Sequence, residues 1–206
     1  LWRAQPYEHA YPHCWRCHTP LLYYALPSWY VRTTALRDEL LAENERTDWH
    51  PETVKHGRFG DWLANNVDWA LSRDRYWGTP LPIWRCSECR VDTCVGSVAE
   101  LSRLAGRDLS AGGSGLDLHR PYVDDVTWSC HEEGCHGTLR RLEPVLDAWF
   151  DSGSMPSAQH HHPFADDGVF EASFPADFIC EAIDQTRGWF YSLLAVNTLV
   201  FDSTPY

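Results

Sequence analysis

The stretch Phe174-Pro-Ala-Asp-Phe-Ile-Cys-Glu-Ala-Ile-Asp-Gln-Thr-Arg-Gly-Trp-Phe190 decides the fold. Within it Phe178-Ile-Cys180 is a short apolar run, preceded by Pro175 and Asp177 and followed by Glu181. Such a run suits a buried strand of a parallel sheet. The residues from Asp184 onward then open a helix, because Trp189, Leu193, Val196 and Val200 recur at helical spacing. A strand running straight into a helix is half of a βαβ unit. Polar groups at that junction lie at the carboxyl end of the strand, where open α/β sheets bind ligands. The expected class is therefore α/β.

Working outward, residues 1–31 are rich in proline and aromatics and carry Cys14-Trp-Arg-Cys17 in a knuckle-like turn. Thr33 or Thr34 is placed to cap a helix running through Ala35, Leu36, Leu40 and Leu41 to about Glu45. A second helix starts near Pro51 and carries Val54, Phe59, Trp62 and Leu63 to Asn66, and Trp69-Ala-Leu-Ser72 reads as a short strand. The texture changes over 80–143. Leu81–Cys86 and Thr93–Gly96 read as a strand and its return, followed by a helix over Val98–Leu104 and a Gly-Ser loop at 112–115. Val126-Thr-Trp128 leads into a second turn at Cys130–Cys135, and Thr138–Leu142 leads out of it. Three units follow: 1–79, an inserted small domain at 80–143, and 144–206.

That insertion carries the clearest chemical signal. Cys86-x2-Cys89 and Cys130-x4-Cys135 are two close pairs on two turns. A turn holding two cysteines a few residues apart presents two thiolates to one point, and two such turns complete a tetrahedral, structural zinc site. Cys94, His131 and His136 lie close enough in sequence to replace one ligand. The pair Cys14 and Cys17 makes only half a site. Its partners are a pair outside this chain, or Cys94 and Cys180, or none if the motif is a redox one.

Composition sets the outer limits. With 206 residues, 44% of them hydrophobic, the chain can bury a sizeable core. No apolar run approaches the roughly 18 residues of a membrane-spanning helix, and no signal peptide is visible. Eight cysteines in close pairs without a secretory signal favour metal ligation in a reducing compartment, so the cytoplasm is expected. The formal charge of −12 argues against unaided nucleic-acid binding. Locally Lys55, His56, Arg58, Arg73 and Arg75 form the best RNA-facing candidate, Lys55 being the only lysine among seventeen basic residues. The chain opens on Leu1 and stops in the turn-like Phe201–Tyr206, so both ends are expected to be cut. His160–His162 is internal and is not read as a tag.

Three segments resemble the isoleucyl-tRNA synthetase family of class I. They are Gly57–Trp84, containing Gly-Arg-Phe-Gly-Asp-Trp-Leu and Arg75-Tyr-Trp-Gly-Thr-Pro80, then Trp149-Phe-Asp-Ser-Gly-Ser-Met155, then the opening stretch 174–190. Tyr11-Pro-His-Cys-Trp-Arg-Cys17 resembles the point where that family returns from its editing insertion. The resemblance implies a partial Rossmann-type catalytic domain with an inserted zinc-ribbon-like small domain. It also implies ATP-dependent formation of isoleucyl-adenylate and transfer to tRNA(Ile), with ATP/Mg2+ and isoleucine as further partners and a monomeric enzyme. Carried residue by residue, Trp149 and Trp189 become walls of the amino-acid pocket, and Glu181, Asp184 and Gln185 binders of the aminoacyl-adenylate. An aliphatic side chain wants flat apolar walls, whereas an ammonium and ribose hydroxyls want carboxylate and amide acceptors. The family's HIGH and KMSKS words are absent from the chain, so no complete catalytic set is expected and the isolated chain should be inactive. Two other readings stand beside this one: a non-catalytic zinc-ribbon binding module, and a valine- or leucine-specific relative sharing Leu71-Ser-Arg and Trp77-Gly.

Overall fold

A computed structural model describes residues 2–110, 115–165 and 168–206. Most of the segment before Ser28 is exposed; strand β1 (Tyr30–Val31) begins the packed part of the chain. A tight turn at Thr33–Leu36 then leads into helix α1 (Arg37–Arg46). Neither threonine caps it. The Thr33 hydroxyl donates to the Val67 carbonyl at 2.9 Å, and both the N–H and the hydroxyl of Thr34 donate to Asp68 Oδ1 at 3.1 and 2.7 Å. The capping carboxylate thus comes from a distant residue, and those two hydrogen bonds hold the Asp68 carboxyl below its ordinary range.

Helix α2 (Gly60–Ala64) follows a widened turn over Lys55–Phe59 that kinks at Gly57. Strand β2 (Trp69–Ala70) pairs antiparallel with β1, and β3 (Ser72–Arg73) continues the chain. The expected helix and strand are both present here, each broken once.

Residues 80–143 carry an antiparallel sheet of four strands. Strands β4 (Ile83–Cys86) and β5 (Asp92–Cys94) form a hairpin, helix α3 (Val98–Ala105) crosses over, and β6 (Trp128–Ser129) and β7 (Thr138–Arg141) form the second hairpin. The strand order is β5-β4-β7-β6. Ser97 caps α3 by accepting the Glu100 N–H at 3.0 Å, while the N–H of Gly96, the residue before the cap, donates to the Glu100 carboxylate at 2.8 Å. Trp84, Val95, Leu101, Val126, Trp128 and Leu139 fill the core beneath the sheet. The Trp84 indole N–H finds the Val126 carbonyl at 2.7 Å, so the buried ring leaves no donor unpaired. Residues 112–114 of the expected Gly-Ser loop lie outside the described residues.

Strand β8 (Val145–Leu146) returns to pair antiparallel with β3. Three short helices follow: α4 (Ala148–Gly153), α5 (Met155–Ala158) and α6 (Val169–Ser173). Helix α7 (Trp189–Phe201) ends the fold. Its Phe190 and residues 192–198 are buried, against α4, α1 and the Ile183–Arg187 turn. Leu40, Trp49, Phe59, Leu63, Phe190 and Leu194 make the second core, with Trp49 edge-on to Phe190 at 5.2 Å. Asn44 sits inside it, accepting from the Trp49 indole at 2.8 Å and donating to the Lys55 carbonyl at 3.0 Å.

The expectation for Phe178–Cys180 is overturned. The segment forms no strand, and Phe178 is 80% exposed. A parallel strand takes its hydrogen bonds from neighbours alongside it. All pairing among the described residues is antiparallel and none reaches residues 177–182. The described chain is accordingly a mixture of helices and small antiparallel sheets. Among the described residues no helix is long and apolar enough to cross a membrane.

Candidate functional site

Cys86, Cys89, Cys130 and Cys135 meet. Pairing of Cys86 with Leu139 across β4 and β7 brings both turns to the same end of the sheet. The Sγ atoms of Cys86 and Cys135 lie 3.6 Å apart, as do those of Cys89 and Cys130, and all four fall within 4.8 Å of one another. Four sulfurs at about 2.3 Å from one tetrahedral ion would stand roughly 3.8 Å apart, so the cluster has the right size to hold a metal ion. Backbone N–H groups of Glu88 and Gly137 point at Cys86 and Cys135 Sγ, both at 3.4 Å, as is suited to thiolates. Cys94, His131 and His136 are exposed and stand outside this group.

Electrostatics favour the same conclusion. Burial pushes the Cys86 thiol up, but N–H donors from Glu88 and Cys89 and the thiols of Cys89 and Cys135 outweigh it and bring it down to about 6. For Cys130 the Glu132 N–H pulls down, whereas burial and the other three thiols push it up to about 12. Four sulfurs this close do not all ionise unless a cation sits among them.

Cys14 and Cys17 form a separate hairpin, with Cys14 N–H donating to the Thr19 carbonyl and His18 N–H to the Cys14 carbonyl, both at 2.8 Å. The Thr19 hydroxyl and N–H, with Cys14, bring the Cys17 thiol down to about 7. Neither Cys94 nor Cys180 joins them in a ligand group among the described residues.

The second constellation surrounds Gly188. Here the backbone breaks (φ −144, ψ −114) between a tight turn at Ile183–Arg187 and α7. Gln185 Oε1 accepts the Trp189 N–H at 3.0 Å, capping α7, and Gln185 Nε2 donates to Asp184 Oδ2 at 3.0 Å. The Trp189 indole donates to the Ser152 carbonyl at 3.0 Å and so ties α7 to α4. A Cβ on Gly188 would stand 2.7 Å from Gln185 Oε1 and 3.1 Å from the Trp149 ring, so the missing side chain makes room for both. Trp149, Asp184, Gln185 and Trp189 are thereby brought together, with Trp149 45% exposed.

Glu181 precedes the Ile183–Arg187 turn by two residues. It lines a cleft of about 480 Å3 with Trp49, His50, Phe178, Ile183 and Thr186, a cleft that Trp149 does not line. The turn thus lends Ile183 and Thr186 to this cleft and Gln185 to the Trp189 N–H.

Asp147 joins Trp149 to Arg73 and Trp69 through three hydrogen bonds. Its carboxylate accepts from Arg73 Nη2 at 2.6 Å, from the Trp69 indole at 3.0 Å and from the Trp149 N–H at 3.3 Å. An aspartate directly before a helical word is an N-cap signal, whereas Arg73 and Trp69 arrive from far along the chain. The basic segment is also engaged within the molecule. Lys55 and His56 pair with Glu45 at 3.6 and 3.2 Å, Arg58 donates to Thr186 at 3.0 Å, and Arg73 to Asp147.

Comparison with known proteins matches residues 15–206 to the family described as tRNA synthetases class I (I, L, M and V), and the chain belongs to that family. It is 64% identical over its whole length to the isoleucine–tRNA ligase of Streptomyces avermitilis and 63% to that of Streptomyces coelicolor. Against the isoleucine–tRNA ligase of Thermobifida fusca it is 59% identical over 211 aligned positions. The chain spans about 19% of the length of these relatives.

Proposed function

We propose that these residues are a segment of an isoleucine–tRNA ligase, contributing part of the isoleucyl-adenylate pocket and a zinc-bearing insertion. The observation that carries this is the packing of Trp149, Asp184, Gln185 and Trp189 around Gly188, in a chain 64% identical throughout to a protein of that name. In the proposed reaction the isoleucine carboxylate attacks the α-phosphorus of Mg2+-bound ATP, pyrophosphate leaves, and the adenylate passes its acyl group to tRNA(Ile). Trp149 and Trp189 wall the aliphatic side chain, while Asp184, Gln185 and Glu181 accept from the ammonium and the ribose hydroxyls. This chain offers one lysine, already paired with Glu45. The charge developing on the phosphates therefore has no free lysine of this chain to meet it.

Cys86, Cys89, Cys130 and Cys135 would hold zinc as a closed structural site, making 80–143 a zinc-ribbon-like unit between 1–79 and 144–206. A reducing compartment such as the cytoplasm fits the close thiol pairs, and the family resemblance implies a monomer. Amino-acid-dependent pyrophosphate exchange by the full-length ligase tests the assignment. Isoleucine should support it far better than valine or leucine, and equal exchange with valine would overturn it.

A further inference from the structure

We propose that Asp147 is a positioning residue that sets the Trp149 wall of the amino-acid pocket; this rests on the pocket assignment above. Three facts carry it. First, the carboxylate is nearly buried, its side chain 10% exposed, and three donors from three segments converge on it: Arg73 at 2.6 Å, the Trp69 indole at 3.0 Å and the Trp149 N–H at 3.3 Å. Second, Arg73 is itself fixed, since its Nη1 donates to the Ala70 and Ser72 carbonyls at 2.6 and 3.0 Å. The Asp147 N–H is tied to the Leu71 carbonyl at 2.8 Å as well, so backbone and side chain are both pinned to one strand segment. Third, Trp149 has little else to place it. It is the second residue of a six-residue helix, half-exposed, its ring resting against the empty side of Gly188.

A charged pair whose guanidinium also grips two backbone carbonyls, together with a capping bond, transmits position because none of its members can rotate without losing a partner. The Asp147 hub therefore fixes where α4 starts and, with it, the direction of the Trp149 indole. Among the described residues no hydrogen bond or ion pair joins the Arg73 or Trp69 side chain to a proposed pocket residue, and both act through this carboxylate.

The test is steady-state pyrophosphate exchange by the full-length ligase, with KM for isoleucine and for ATP measured separately. Asp147→Ala should raise KM for isoleucine about tenfold, the scale of one pocket methylene, and move KM for ATP by less than about twofold. Asp147→Asn, which keeps an acceptor for the Trp149 N–H, should recover most of that loss. In a Trp149→Ala background the Asp147→Ala effect should vanish, because it is exerted through Trp149. Equal rises in both KM values, an unchanged isoleucine KM, or additive effects in the double variant would overturn the proposal. Should Asp147→Ala fail to fold, Arg73→Gln leaves the cap but removes its clamp. That variant should raise the isoleucine KM about threefold only when Trp149 is present, and no rise would equally overturn the proposal. If Trp149→Ala alone leaves the isoleucine KM unchanged, the pocket assignment itself fails. If Trp149 matters and Asp147 does not, only the positioning role fails.

Discussion

Gly137→Ala isolates the thiol cluster in one methyl group. A Cβ at residue 137 would stand 2.4 Å from Cys86 Sγ, 3.1 Å from Glu88 Cβ and 3.1 Å from Glu88 N. An ordinary carbon–sulfur contact is about 3.7 Å, so the sulfur or the strand must move by roughly 1 Å. Metal–thiolate distances tolerate only about 0.2 Å. Neither neighbour yields readily. Cys86 N–H is held to the Val91 carbonyl at 2.9 Å, and Gly137 itself joins two turns through the Cys130 N–H, which donates to its carbonyl at 2.8 Å. Residue 137 has no positive φ, so the penalty is steric rather than conformational. Overpacking alone costs about 1–3 kcal/mol. The larger loss is the binding free energy of the ion, which in such sites is folding free energy. Elemental analysis and chelator competition should show near-stoichiometric zinc in the wild type and little in Gly137→Ala. Hydrogen exchange should show residues 80–143 opening before the α1–α2–α7 core. Gly134→Ala is the control. Its φ of +75 makes alanine cost about 1 kcal/mol in backbone strain, yet nothing lies within 4 Å of the added carbon, so zinc should be retained. A Gly137→Ala protein carrying full zinc with unchanged chelator resistance would refute the reasoning.

Other expectations follow from the same geometry. Cys86→Ser should abolish zinc binding and Cys94→Ser should leave it intact, as atomic absorption would register; the reverse order would exclude the four-thiol site. Asp124 bridges Arg141, whose side chain is 1% exposed, and Arg120 at 2.5 and 2.8 Å. Asp124→Asn should therefore destabilise the insertion by about 3 kcal/mol in thermal unfolding. Burial pushes the Asp124 carboxyl up, but the two guanidiniums outweigh it and hold it below 3.8. Its stabilisation is thus complete above that value and lost as pH falls through the lower folded one, and a pH-insensitive insertion would contradict this. The 206-residue chain alone should give no pyrophosphate exchange with isoleucine above a heat-killed control. In the full-length ligase Trp189→Ala should weaken isoleucine binding by about 1–3 kcal/mol, and an unchanged affinity would remove Trp189 from the pocket.

What the residues determined by themselves is mainly local. The Cys86/Cys89 and Cys130/Cys135 spacings, the hairpins around them, the helical period of Trp189, Leu193 and Val196, and the family words are short-range signals, readable because turns and helices are made by neighbours. Two expectations of the same kind failed where the partner is remote. Thr33 and Thr34 look like caps, but Asp68 supplies the carboxylate, since a backbone N–H accepts any oxygen that tertiary packing delivers. Phe178–Cys180 looks like a parallel strand, but a strand is defined by its neighbours, and none of the described strands lies beside it. Only the tertiary structure decided that four sulfurs share one point while Cys94, equally near in sequence, does not. It alone placed Arg73 and Trp69 on Asp147, and put Glu181 in the lining of a cleft that Trp149 does not line. The physical reason is common to all of these. Ligation, ion pairing and strand pairing act through space between residues that the chain order separates, so their outcome is set by packing and not by spacing.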